Sequence, residues 1–295
     1  MRIVVGLGGN AILRKGERGS ALEQRKNIAR TASEICKILQ LGHEVVVTHG
    51  NGPQVGNLLT QQYEAKGKVQ AMPMDVCGAM TQGQLGYMIQ QELENSCGIR
   101  AATVITRCRV DPADPAFSHP SKPVGPFYRK KRAGMVLDSG RGYRKVVPSP
   151  KPVEILEMEE IRTLADSGFT VIASGGGGVP VVQKGKKLIG VDAVIDKDRA
   201  AQALATALNA DTLLLATSID SVRLHFGKRG ERKIRRMGVP EAEKYLERGE
   251  FAEGSMRPKV EASAAFVKGG GKSAIICDTK DMLKALRGKA GTTIR

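Results

Sequence analysis

Tryptophan is absent from this 295-residue chain, and aromatic residues together make up 4% of it. Surfaces that stack the bases of single-stranded nucleic acids need aromatic side chains, so this composition argues against that class of protein. Histidine is also scarce, with four residues, and the sequence suggests no Ser/His/Asp or Cys/His constellation for nucleophilic catalysis. No apolar run reaches the roughly 18 residues of a transmembrane helix, so we expect no membrane span.

The five cysteines, at positions 36, 77, 97, 108 and 277, form no Cys-x-x-Cys motif and are odd in number. This pattern is typical of reduced thiols rather than of a disulfide framework or a zinc site. The first residues, 1–5, pass directly into glycines and do not form the apolar segment of a secretory signal. We therefore expect a cytoplasmic protein whose cysteines are all reduced.

Acidic residues are few relative to basic ones: 46 Lys and Arg face 30 Asp and Glu, a formal net charge of +16. Such an excess calls for a negatively charged partner, either nucleic acid or phosphorylated small molecules. The densest basic run, residues 228–236, carries no DNA-reading motif, and we interpret it as a solvated surface loop. We therefore expect small-molecule partners, no nucleic acid and no membrane.

Short β-branched runs alternate with helical segments along most of the chain, which predicts a parallel sheet with helices on both faces. The predicted strands are 2–7, 44–48, 102–106, 170–174, 212–216 and 273–277, with a hairpin-like pair at 179–182 and 187–189. The predicted helices are 20–41, which starts with a Ser20–Glu23 capping box, and 75–95, 157–167, 197–208, 239–247, 258–268 and 281–286.

Between Arg107 and Pro152 the alternation stops, because eight prolines and a basic cluster at 129–132 interrupt it. A stretch of this length is either a disordered linker or a small folded insertion. Interleaved hydrophobic residues favour a folded lobe, and we predict a lid at 109–152 between an N-terminal lobe, 1–108, and a nucleotide-binding lobe, 153–295.

Glycines cluster where predicted strands end, at 6–9, 50–52 and 175–178. Parallel sheets bind ligands at the carboxyl ends of their strands, and glycine lets main-chain N–H groups approach phosphate oxygens. Three such loops together predict one shared phosphate site.

Two familiar nucleotide motifs do not explain these glycines. Gly6-x-Gly8-x-x-Ala11 matches the dinucleotide fingerprint in form, but two further glycines interrupt the helix that should follow it. Gly271-Lys272-Ser273 precedes its predicted strand, whereas a P-loop follows one. We reject both.

Seven segments, in order along nearly the whole chain, resemble the carbamate kinases of the amino-acid-kinase superfamily: 7–11, 48–56, 122–127, 146–150, 174–180, 190–198 and 254–259. The resemblance implies one amino-acid-kinase domain over 1–295, built as a three-layer αβα sandwich with a mainly parallel, about eight-stranded sheet and a small protruding subdomain. It also implies a homodimer and the reversible reaction ATP + carbamate = ADP + carbamoyl phosphate with Mg²⁺. In cells that reaction often runs toward ATP at the end of arginine-type catabolism.

Carbamate already carries an anionic oxygen, so catalysis needs positioning and charge stabilisation rather than a base. The resemblance assigns the catalytic roles. Lys197 and Lys259 neutralise the migrating phosphoryl group, Asp198 orients them or binds through Mg²⁺, and Lys122 reaches from the lid onto the carbamoyl group. Without the resemblance, Asp196 is an ordinary helix N-cap and Lys197 an exposed first-turn residue.

The same resemblance implies that substrate is bound by Gly8, Gly9, Asn10, Gly50, Asn51 and Gly52, and nucleotide by Gly175, Gly176, Gly177, Met256 and Pro258. Both asparagines are also ordinary turn residues. We expect Mg²⁺ to be held mainly by the phosphates of ATP or ADP, and the sequence leaves its protein ligands unknown.

Two other functions stay open. One is a kinase of another small carboxylate or phosphate acceptor in the same superfamily. The other is a basic nucleic-acid-binding protein that uses the +16 charge.

Overall fold

The computed structural model of the protein describes residues 1–14, 16–137 and 142–295. Its strands in chain order are β1 (Arg2–Leu7), β2 (Glu44–His49), β3 (Ala101–Thr103), β4 (Arg107–Val110), β5 (Lys122–Tyr128), β6 (Met135–Leu137), β7 (Tyr143–Val147), β8 (Pro152–Ile155), β9 (Thr170–Ile172), β10 (Val179–Lys184), β11 (Lys187–Gly190), β12 (Thr212–Thr217), β13 (Val222–Leu224), β14 (Arg232–Ile234), β15 (Arg236–Met237), β16 (Ser273–Asp278) and β17 (Thr292–Ile294). Its α-helices are α1 (Ala21–Leu39), α2 (Gly52–Ala65), α3 (Met74–Cys97), α4 (Met158–Asp166), α5 (Lys197–Ala207), α6 (Val239–Glu247), α7 (Met256–Lys268) and α8 (Met282–Leu286).

The central sheet has eight strands in the order β15-β17-β16-β12-β1-β2-β9-β3. Every neighbouring pair is parallel except β16 with β17, which confirms the mainly parallel sheet. Strand β9, from the segment 153–295, lies between β2 and β3 of the segment 1–108, so the two segments share the sheet.

Alternating side chains of the strands build a hydrophobic core on each face of this sheet. On β1, Ile3 and Val5 join a cluster that α1, α3 and α8 cover, whereas Val4 joins the cluster that α4 to α7 cover. The chain is therefore the predicted three-layer αβα sandwich. The predicted capping box is present at the start of α1, where Ser20 and Glu23 bond each other's backbone N–H groups.

The segment 109–152, for which we predict a lid, contains a separate three-stranded antiparallel sheet in the order β5-β7-β6. It is anchored on the main domain through a small core of Met74, Val124 and Val147. Residues 138–141 of the lid lie outside the described residues. A third sheet, in the order β11-β10-β4-β8, flanks the lid in sequence.

The prediction that all five cysteines are reduced is wrong for one pair. Cys36 and Cys97 form a disulfide, with their Cα atoms 6.0 Å apart. They lie near the C-terminal ends of α1 and α3, two helices that pack against each other. Because the two cysteines are 61 residues apart in sequence, their proximity could not be predicted from local patterns. Cys77, Cys108 and Cys277 are free and buried.

No helix in the described part of the chain combines the length and the hydropathy of a membrane span.

Candidate active site

The carboxyl ends of neighbouring strands bring the predicted glycine loops together. After β1, the N–H of Gly8 donates to the Ala216 carbonyl at the end of β12, at 2.9 Å. After β2, the N–H of Gly50 donates to the carbonyl of Leu7 at 3.0 Å. A Cβ at Gly8 would lie 3.0 Å from the Ala216 oxygen, so glycine permits this close approach.

Lys197 and Lys259 converge on one buried carboxylate. Lys197 Nζ donates to Asp198 Oδ1 at 2.6 Å, and Lys259 Nζ donates to Asp198 Oδ2 at 2.9 Å. The two lysines are 62 residues apart, one at the start of α5 and one in the first turn of α7. The structure thus places both ammonium groups and Asp198 in a single cluster.

Burial and charge shape the ionisation of this cluster. Asp198 is 3% exposed, and although burial raises its pKa, the two lysines outweigh burial and lower that pKa to about 2. The pKa of Lys259 is lowered by burial and by repulsion from Lys197, and the attraction of Asp198 partly offsets this. Asp198 is therefore a permanent anion that holds two cations close together.

Lys122 of the lid also contacts this region. Its Nζ donates to Asp196 Oδ2 at 2.9 Å, while Asp196 Oδ1 accepts from the backbone N–H groups of Asp198 and Arg199 at the start of α5. Asp196 is thus the N-cap of α5, as the sequence alone predicts, and it is also the hydrogen-bond partner of Lys122.

An open cleft of about 630 Å³ begins at this cluster. Gly8, Gly9, Asn10, Lys197 and Lys259 line its inner end. Its remaining wall comes from three segments, residues 217–226 after β12, residues 250–256 before α7, and Asp278. Both Met256 and the exposed Phe226 line the cleft, whereas Pro258 is not among its lining residues.

The loop Gly175–Gly177 packs against His49 and Asn51. A Cβ at Gly176 would come within 2.2 Å of the Asn51 side chain, and one at Gly175 within 2.5 Å of His49. The structure therefore brings these glycines to Asn51 and not to the cleft that Met256 lines. Their assignment to the nucleotide stays a prediction that this placement does not support.

The two asparagines have side-chain partners inside the site. Asn10 Nδ2 donates to Ser218 Oγ at 2.9 Å, and Asn51 Nδ2 donates to Thr81 Oγ1 at 2.8 Å. Between them, Gly50 contacts the stem of Lys197, because a Cβ there would lie 3.1 Å from Lys197 Cδ. Gly52 begins α2.

His49 is buried beneath this loop. Burial lowers its pKa to about 4, so the ring is neutral at physiological pH, and Nδ1 lies 3.3 Å from the carbonyl oxygen of Gly50. A neutral, buried ring fits a structural role for this histidine.

Basic side chains already engage two carboxylates of this region. Asp198, in the lysine cluster, accepts from Lys197 and Lys259, and Asp220, in the cleft wall, accepts from Arg223 and Lys233. In the described part of the chain, no group of three or more His, Cys, Asp or Glu side chains is arranged to hold a metal ion.

Comparison with known proteins identifies the family. The amino acid kinase family matches residues 1–278. The carbamate kinase of Halobacterium salinarum is 51% identical over 99% of this chain and 97% of its own length, and that of Pyrococcus horikoshii is 47% identical over 99% and 98%. The carbamate kinase of Giardia lamblia bound to AMP-PNP superposes with a TM-score of 0.94 at 43% identity, covering 99% of this chain and 98% of that one.

The chain belongs to the amino acid kinase family. The resemblance to the carbamate kinases is confirmed, and the chain is a phosphotransferase enzyme.

Three features of this kinase's site were not found from sequence. Asp196 was weighed only as a helix cap, because nothing in the sequence shows that Lys122 lies beside it. Asp220 and Phe226 entered no motif, although their position just after the predicted strand 212–216 is where an open parallel sheet binds ligands.

Proposed function

We propose that the chain catalyses reversible phosphoryl transfer between ATP and carbamate, giving ADP and carbamoyl phosphate. The observation that carries this proposal is the Asp198-bound pair of Lys197 and Lys259 at the inner end of the nucleotide-sized cleft. Full-length similarity to carbamate kinases supports the choice of carbamate as the acceptor.

In the proposed mechanism the base and ribose of the nucleotide lie in the outer cleft, and the γ-phosphate lies at Lys197, Lys259 and the N–H group of Gly9. A carbamate oxygen attacks the γ-phosphorus as the bond to the β-phosphate oxygen breaks, and ADP leaves. Each ammonium has three N–H donors. Within the described residues Lys197 uses one on protein acceptors and Lys259 uses two, so both keep donors for the phosphoryl oxygens.

No proton has to be removed before attack, because carbamate is already an anion. This suits a site whose buried imidazole, His49, is neutral and held below the loop. The acceptor side of the site is formed by Gly50, Asn51 and the adjoining loop Gly175–Gly177, with Lys122 reaching in from the lid.

Magnesium is proposed as the metal of the reaction. Mg²⁺ binds proteins through one or two carboxylates together with substrate phosphates. Since lysine and arginine already engage Asp198 and Asp220, the donor set fits an ion whose ligands come mainly from the nucleotide. When bound it offsets negative charge on the phosphates, and the lysines supply the rest.

A coupled assay tests the proposed reaction. The chain is mixed with MgADP and carbamoyl phosphate, and hexokinase and glucose-6-phosphate dehydrogenase report the ATP formed. We expect rapid ATP formation, and much slower formation with acetyl phosphate as the donor. Faster reaction with acetyl phosphate would indicate another carboxylate acceptor. Retention on DNA together with no ATP from any acyl phosphate would support the nucleic-acid-binding alternative.

We also propose that the enzyme is a homodimer that uses the outer face of α3. Val76, Met80 and Tyr87 are exposed along one stripe of this helix, at 37%, 44% and 54%. Such a stripe on a helix that is buried on its opposite face is suited to a second copy. Light scattering after size exclusion should give twice the chain mass, and Tyr87→Glu should lower it.

The proposed location is the cytoplasm, where ADP and carbamoyl phosphate would meet in arginine-type catabolism. Reducing conditions there act against the disulfide found here. Mass spectrometry of alkylated, non-reduced protein from intact cells measures which state is present.

A further inference from the structure

One short segment at the start of α5 binds the three lysines to which the family resemblance assigns catalytic roles. Asp196-Lys197-Asp198 carries two carboxylates, and between them these accept from Lys122, Lys197 and Lys259. Three cations against two anions leave a net charge of +1. The cluster is therefore prepared for an anionic substrate while each ammonium is already held in place.

The two carboxylate oxygens of Asp196 accept hydrogen bonds from different partners. Oδ1 caps α5 through the N–H groups of Asp198 at 3.0 Å and Arg199 at 3.3 Å, and Oδ2 accepts from Lys122 at 2.9 Å. Asp196 is 8% exposed, so its carboxylate has little freedom to turn. A cap alone requires only a side-chain oxygen, which asparagine or serine also supplies. Holding an ammonium requires the negative charge.

Lys122 begins the first strand of the lid, and this strand packs on α2, the helix that follows the Asn51 loop. The lysine side chain is 41% exposed, so the lid alone does not fix it. Its contact with Asp196 uses one of three N–H donors. The ammonium can therefore stay on Asp196 and still donate to a substrate oxygen.

We propose that Asp196 is a positioning residue: one carboxylate oxygen fixes the helix that carries Lys197 and Asp198, and the other holds Lys122 of the lid over the same site. Lid closure and the arrangement of the phosphoryl-transfer lysines thereby depend on a single side chain. The consequence for catalysis rests on the proposed function, whereas the contact itself does not.

A double-mutant cycle tests the proposal. Asp196→Asn keeps an oxygen for the cap but removes the charge, and Lys122→Met removes the ammonium at similar length. We expect both to reduce kcat/KM for carbamoyl phosphate at least about tenfold, with the KM for ADP changed less than about twofold, and the double variant to be no more than about twofold worse than Lys122→Met. Wild-type behaviour of Asp196→Asn, or effects that multiply, would overturn the proposal.

Hydrogen exchange provides a measurement that needs no turnover and no stable Asp196 variant. In the protein without substrates, Lys122→Met should speed amide exchange in β5 and β7, and Lys122→Arg, which keeps a cation for Asp196, should restore protection. The matched control is Lys145→Met, an exposed lysine of β7, which should leave exchange unchanged. Equal protection in wild type and Lys122→Met would show that Asp196 does not hold the lid. If the wild-type chain makes no ATP, the proposed function fails, and the exchange experiment still decides this contact.

Discussion

Replacing Asp198 by asparagine is the most informative single perturbation of the site. Asp198 is 3% exposed and accepts from two ammonium groups, of which Lys259 is itself buried. Asparagine keeps one oxygen, but its NH₂ group would face a lysine that also donates. The variant therefore leaves two cations close together with no counter-charge.

The size of the effect follows from burial and ionisation. Removing one partner of a buried ion pair costs about 3–5 kcal/mol. Independently, a pKa of about 2 in place of the ordinary 3.8 corresponds to about 2.5 kcal/mol of stabilisation at neutral pH. Because the folded-state pKa is lowered, this contribution is present above pH 3.8 and is lost as the pH falls toward 2. Since Lys197 is partly solvated, we expect a loss of about 3 kcal/mol.

Thermal unfolding followed by circular dichroism measures this loss, since the chain has no tryptophan to report by fluorescence. A loss of about 3 kcal/mol should lower Tm by about 6 °C or more in a protein of this size. Asp166→Asn is the matched control, because Asp166 pairs with Arg2 on the surface with 56% of its side chain exposed. That change should cost less than about 1 kcal/mol.

Activity gives a second measurement of the same variant. With Asp198 neutral, the pKa of Lys259 falls further and the two ammonium groups repel, so kcat should drop at least about 10²-fold. If the Asp198→Asn variant has the same Tm as the Asp166→Asn control and a near-normal kcat, the structural reasoning is refuted.

Three further predictions concern other parts of the chain. Because the pKa of His49 is lowered to about 4 in the folded chain, the unfolded chain binds a proton below pH 6.5 that the folded chain does not bind, and the free energy of unfolding should fall by about 3 kcal/mol between pH 6.5 and 4. The His49→Gln variant should lose this acid sensitivity, and a pH profile of Tm equal to that of wild type would contradict the prediction. The Cys36–Cys97 disulfide closes a loop of about 60 residues and should contribute about 4 kcal/mol to the free energy of unfolding. Dithiothreitol should therefore lower the Tm of wild type but not that of Cys36→Ser, and a wild-type Tm that is the same with and without dithiothreitol would contradict this. Gly176→Ala places a methyl group against Asn51 and should raise the KM for carbamoyl phosphate more than that for ADP, whereas equal changes would argue against the acceptor-side placement.

Local sequence signals predicted most of the sheet and its helices. The alternation on β1 and the Ser20–Glu23 box appear as expected, because both depend on residues close together in sequence. Helix α2 was missed because Gly52, Pro53 and Gly56 are typical of turns, although proline is well suited to a first helical turn.

Long-range contacts could not be predicted in the same way. The Cys36–Cys97 disulfide depends on how two helices pack, and the Lys122–Asp196 contact joins residues 74 positions apart. Strand β17 returns antiparallel to β16 near the end of the chain, where no alternation indicated it. The shared role of Lys197 and Lys259 was implied by family resemblance alone, since without it Lys197 is only an exposed first-turn residue.

The most direct test of the account is the rate of ATP formation from ADP and carbamoyl phosphate in Lys197→Met and Lys259→Met. Each variant should retain the circular dichroism spectrum and lose about 10²–10³-fold in kcat, because each removes one of two cations that meet on the same carboxylate. A kcat within about threefold of wild type in both variants would contradict the claim that this pair stabilises the transferred phosphoryl group.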